Sequence, residues 1–110
     1  MNIIGDVKGK TVLLVDDMVD TAGTLCNAAK AVIEKGGARE VYACATHGVL
    51  SGPAIERIAA SPLKSLTLLD TIEIPQEKRI GKLDILPTNM IFSQAIERIY
   101  SDKPVSILFN

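Results

Sequence analysis

The sequence predicts an α/β fold, an open and mainly parallel sheet flanked by helices. Three observations carry this. Short uninterrupted apolar runs alternate with stretches of helical periodicity along the 110 residues. Such runs mark strands covered on both faces. Turn residues such as Gly36-Gly37 and Ser61-Pro62 stand between the elements. Strand, helix, strand, helix, strand is the grammar of a parallel sheet.

The first strand is Val12-Leu13-Leu14-Val15. From Leu25, the positions Leu25, Ala28, Ala29, Val32 and Ile33 repeat at helical spacing, and Gly36-Gly37 ends that helix. Val41 to Ala45 reads as a second strand. Ser51-Gly52-Pro53 opens a short helix carrying Ile55, Ile58 and Ala59, with Ser51 as its expected cap and Ser61-Pro62 as its stop. Leu66 to Leu69 is a third strand, Ile74 to Lys82 a polar loop, and Leu83 to Leu86 a fourth strand. Phe92, Ala95, Ile96, Ile99 and Tyr100 predict a last helix capped near Thr88 or Asn89. Val105 to Phe109 predicts an edge strand.

Composition narrows the function. The formal net charge is -1, from 12 basic and 13 acidic residues, which removes the electrostatic footprint of a nucleic-acid binder. No apolar window approaches the roughly 20 residues of a membrane span, and the first residues do not read as a secretory signal. A cytoplasmic location is therefore expected. Cys26 and Cys44 form no metal-ligand spacing and read as small buried hydrophobes. There is no Gly-x-Gly-x-x-Gly and no Gly-Lys-Ser/Thr loop.

One stretch carries chemistry: Asp16-Asp17-Met18-Val19-Asp20-Thr21-Ala22-Gly23-Thr24, directly after the first strand. In open parallel sheets, ligands bind beyond the carboxyl ends of the strands. A turn entering a helix offers unpaired N–H groups at the positive end of the helix dipole, and small residues let an anion come close. Thr21, Ala22, Gly23 and Thr24 thus predict a phosphate site. Asp16 and Asp17 would repel a phosphate. They can accept from neighbouring hydroxyls, or hold a Mg²⁺ ion directly or through water. Together they describe a site for a sugar phosphate.

The segment resembles the phosphoribosyl-diphosphate binding motif of the type I phosphoribosyltransferase superfamily, and within it the ribose-phosphate pyrophosphokinase family. A second block, Thr46-His47-Gly48-Val49-Leu50-Ser51-Gly52-Pro53-Ala54, and a third, Val105-Ser106-Ile107-Leu108-Phe109, resemble the same family in the same order. The resemblance implies a type I phosphoribosyltransferase-like partial domain over residues 1–110, the C-terminal part of a longer enzyme. That family transfers diphosphate from ATP to ribose 5-phosphate, with Mg²⁺, to make phosphoribosyl diphosphate. Positions matching Asp20, Thr21, Ala22, Gly23 and Thr24 hold the sugar's phosphate. Those matching Asp16 and Asp17 serve the ribose hydroxyls and the metal-bound substrate. The resemblance also implies a homo-oligomer, and a regulatory nucleotide site to which Ser106 and Phe109 would contribute. The ATP-binding residues and the basic catalytic loop have no counterpart in this sequence, so the chain alone is expected to be inactive. Asp70-Thr71 departs from the family's Asn-Thr pair.

Other residues read more plainly. His47, the only histidine, is expected to brace the turn that follows through Gly48. Lys78, Arg79 and Lys82 read as a solvated basic loop. Two further functions share these features. One is a phosphorylation-regulated receiver domain, suggested by Leu13-Leu14-Val15-Asp16-Asp17, with Asp70 as phosphate acceptor. The other is a non-catalytic assembly homologue of the synthetase.

Overall fold

The structure, a computed structural model, describes residues 7–87 and the backbone of residues 105–109. Five strands are joined in the order β4-β3-β2-β1-β5. They are β1 (Thr11–Val19), β2 (Glu40–Gly48), β3 (Leu63–Leu69), β4 (Leu83–Leu86) and β5 (Val105–Phe109). Every pairing is parallel, as the sequence predicts. The edge position expected for the last strand is also found.

Two helices, α1 (Gly23–Glu34) and α2 (Ala54–Ala60), connect β1 to β2 and β2 to β3. They lie together on one face, where Leu25, Ala28, Ala29 and Val32 of α1 and Ala54 and Ile58 of α2 join Val12, Leu14, Val41, Ala43 and Leu66 in one core. Pleating sends Leu13 and Cys44 to the opposite face, and both are buried there as well. This two-sided burial is why β1 and β2 read as unbroken apolar runs.

Several expectations need correction. β1 does not end at Val15 but runs to Val19, because β2 extends alongside it and pairs Met18 with His47 and Val19 with Gly48. β3 begins at Leu63, three residues before the predicted start. Helix α1 starts at Gly23 on a left-handed Ala22 (φ 66°, ψ 8°). Ser51 is not a side-chain cap: the residue before α2 is Pro53 and no side chain caps that end. The basic loop is not merely solvated. Lys82 Nζ donates to the carbonyls of Ile58, Ala59 and Ser61 at 3.2, 3.1 and 2.8 Å, closing the C-terminus of α2. Lys78 Nζ reaches the Leu50 carbonyl at 3.0 Å and Arg79 Nε the Ile74 carbonyl at 2.9 Å, and the loop contains a 3₁₀ turn, Gln76–Lys78. The predicted helix around Phe92 to Tyr100 lies outside the described residues.

The strand order decides where a ligand belongs. From β1 to β4 each strand is laid beside the last, always in one direction across the sheet. The chain then returns to place β5 on the far side of β1. The reversal falls between β1 and β5, and in open α/β sheets the crevice at such a switch point is the binding place. Among the described residues, β5 pairs with β1 from Thr11 to Val15, whose partner is Phe109, and Asp16 and Asp17 follow directly on β1.

Candidate sugar-phosphate site

Beyond Val15 the chain runs along β2 and then turns. Three hydrogen bonds from the loop after β2 hold that turn. Val49 and Leu50 amides both donate to the Val19 carbonyl, at 3.0 and 3.2 Å, and the Ser51 amide donates to the Asp20 carbonyl at 2.9 Å. Leu50 adopts a left-handed backbone (φ 56°) to reach this position while burying its side chain. The second sequence block thus serves the first by fastening its carbonyls.

With those carbonyls tied back, the turn presents its amides outward. The first intrahelical bond runs from the Cys26 amide to the Ala22 carbonyl at 3.0 Å. No side chain caps this end of α1, and its first turn carries no acidic residue. The N–H groups of Gly23, Thr24 and Leu25 are thus the orphan donors of a helix start. The left-handed Ala22 followed by helical residues makes a concave nest of such groups. They open onto a cleft of about 230 Å³ lined by Asp16, Met18, Asp20, Thr21, Ala22, Gly23 and Thr24 among others.

The structure brings Asp16 and Asp20 into this cleft with Thr21, Ala22, Gly23 and Thr24. Asp17 follows Asp16 on the strand, so its side chain leaves on the other side, exposed and outside the cleft wall. Its amide donates to Asp16 Oδ1 at 2.8 Å, which orients the Asp16 carboxylate. No group of three or more His, Cys, Asp or Glu that would cage a metal exists among the described residues. A Mg²⁺ ion does not need one. It keeps several waters and commonly takes one or two carboxylates plus substrate oxygens, and Asp16 fits that role.

His47 stands beside Met18 on β2 but does not brace the turn at Gly48. Its Nδ1 lies 2.7 Å from Thr71 Oγ1, and that hydroxyl donates to the Thr46 carbonyl at 3.2 Å. A threonine has one hydroxyl proton. With it spent on Thr46, the Thr71 oxygen is the acceptor of its contact with His47 Nδ1. His47 also forms an antiparallel bridge with Asp70. The Asp70-Thr71 pair is thereby joined to the end of β2. Ser106 and Phe109 are placed only by backbone, opposite Val12 and Val15.

Arg57 is a residue that the sequence did not single out. From α2, its Nη1 donates to the Thr21 carbonyl at 3.1 Å. Only the packing of α2 against α1 makes them neighbours, so no local pattern announces the contact.

The strand order also removes the receiver reading. In that fold the order is 2-1-3-4-5, with β3 beside β1. Here β3 lies beside β2, and β1 lies between β2 and β5.

Comparison with known proteins agrees with the sheet. Residues 1–110 match the family described as phosphoribosyl synthetase-associated domain. The chain is 61% identical over 109 residues to a ribose-phosphate pyrophosphokinase of Clostridium acetobutylicum, covering 99% of this chain and 34% of that protein. It is 54% identical over 110 residues to that of Corynebacterium ammoniagenes, covering 100% and 34%. In structure it is similar to phosphoribosylpyrophosphate synthetase from Mycobacterium smegmatis, with a TM-score of 0.74 and 37% identity over 90% of this chain and 33% of that one. The chain thus spans about a third of the length of these relatives. That share carries no position along them, so the C-terminal placement expected from the sequence gains no support here. A match along the whole chain, together with the switch-point turn, shows that the chain belongs to the phosphoribosyl synthetase-associated domain family.

Proposed function

We propose that this chain supplies the ribose 5-phosphate site of a ribose-phosphate diphosphokinase. The observation that carries the reading is the uncapped start of α1. It borders a cleft at the β1/β5 switch point that Asp16 and Asp20 line together with Thr21 to Thr24.

The sugar's phosphate sits on the amides of Gly23 and Thr24, with the hydroxyls of Thr21 and Thr24 donating as well. The charge on the phosphate is met by the helix dipole. Asp16 accepts from the ribose hydroxyls. Asp16 would hold a Mg²⁺ ion whose remaining positions are filled by water and substrate oxygens. When bound, the ion supplies positive charge to the phosphoryl oxygens of the co-substrate. Diphosphate transfer from ATP also requires cationic groups around the developing charge. The described residues lining this cleft include no lysine or arginine. The chain by itself therefore binds the sugar phosphate and does not turn it over. Phosphoribosyl diphosphate is the product of the intact enzyme, which assembles from several copies.

Calorimetric titration with ribose 5-phosphate, with and without MgCl₂, tests this. Saturable heat is expected with the phosphate ester and none with ribose. Asp16→Asn is expected to weaken binding about tenfold, the equivalent of one charged hydrogen bond. Absence of heat with the ester, or equal binding of ribose, refutes the assignment.

A further inference from the structure

The turn that opens α1 is gripped from behind as well as from the β2 side. Arg57 Nη1 donates to the Thr21 carbonyl at 3.1 Å. The same nitrogen stands 3.0 Å from the place a Cβ on residue 23 would occupy. Gly23 itself has no left-handed backbone; the positive φ in this turn belongs to Ala22, at 66°. Conformational freedom therefore does not explain a glycine at position 23. Room for the guanidinium does.

The rest of the surroundings agree. Arg57 lines a groove of about 300 Å³ between α1 and α2 with Gly23, Asn27 and Lys30, and no carboxylate is among the residues lining it. Nothing in that wall draws the guanidinium away from the carbonyl. The loop after β2 fastens Val19 and Asp20, and its bonds do not extend to Thr21.

We propose that Arg57 is a positioning residue for the phosphate-accepting turn, and that Gly23 is small so that Arg57 can reach Thr21. The inference rests on the reading of the cleft as a phosphate site. By accepting from Arg57, the Thr21 carbonyl is turned toward α2 and away from the cleft. The peptide N–H groups that follow are aimed the other way, at the anion. An alanine at 23 displaces the guanidinium by a few tenths of an ångström and lengthens a bond that is already at 3.1 Å.

A double-mutant cycle decides it. Arg57→Ala, Gly23→Ala, the pair together, and Arg57→Lys are compared in the 110-residue chain. Two measurements are made: backbone amide shifts of Thr21 to Thr24 without ligand, and ribose 5-phosphate affinity by calorimetry. Each single alanine variant is expected to move the turn amides and weaken binding about tenfold, the equivalent of one hydrogen bond from a charged donor. The double variant is expected to be no weaker than Arg57→Ala, because both changes break one contact. Arg57→Lys keeps the charge but not the planar fork, and is expected to stay weak. Multiplying effects, full rescue by lysine, or unmoved turn amides in Arg57→Ala would each overturn the proposal. If the parent chain binds no ribose 5-phosphate, the substrate assignment fails, and the amide shifts still decide the role of Arg57.

Discussion

Gly48 gives the strongest test of how the site is supported. It ends β2, pairs with Val19, and is buried. A Cβ built there falls 2.5 Å from Leu68 Cδ1, 3.3 Å from its Cγ and 3.4 Å from its Cδ2. Ordinary carbon contacts begin near 3.5 Å. Leu68 is fully buried within the core cluster, so it has no free volume to swing into. Gly48→Ala must therefore shift β2 away from β3 or force Leu68 off its rotamer. Overpacking of this kind costs about 1–3 kcal/mol. For a domain of this size that lowers the melting temperature by roughly 5–15 °C. Urea unfolding followed by circular dichroism measures it. Gly48→Ala/Leu68→Ala is the control: truncating Leu68 alone costs about 2–5 kcal/mol, but the added methyl then fills part of the cavity, so the pair loses less than the sum. If Gly48→Ala is as stable as the parent, the close approach does not constrain the end of β2.

Two further predictions concern stability. Burial pushes the Cys44 thiol up to about 11, and burial also raises Cys26, partly offset by its hydrogen bond with Ser61 and by the nearby charges of Arg57, Lys82 and Lys30. Between pH 9 and 11 the folded chain keeps thiol protons that the unfolded chain releases, so stability is unaffected below about pH 9 and falls as the pH rises through that window. For Cys44 the loss reaches roughly 2–3 kcal/mol once both states are deprotonated. Cys44→Ala should flatten the stability–pH profile there, and an unchanged slope would refute the assignment. Lys82→Met removes the charged donor to three carbonyls at the end of α2. It should cost about 1–2 kcal/mol by urea midpoint with an unchanged slope.

Much of the chain was legible without coordinates, for local reasons. Val12 to Val15 and Val41 to Ala45 announce strands because sheets covered on both faces exclude polar side chains. Leu25 to Ile33 announces a helix because one stripe must face the core. The turn into α1 was legible too, since small hydroxyl-bearing residues lie where the apolar run gives way to helical spacing. What tertiary structure decided concerns partners distant in sequence. The extension of β1 to Val19 depends on β2 running beside it. The different exits of Asp16 and Asp17 follow from that extension. Lys82 found the carbonyls that end α2, and Lys78 that of Leu50 in the loop after β2, partners more than twenty residues away. His47 chose Thr71, just beyond the end of neighbouring β3, over the turn next to it. The order β4-β3-β2-β1-β5 placed the crevice beside β1. No pattern within a strand encodes which neighbour it will take, because parallel pairing uses backbone groups that every residue shares.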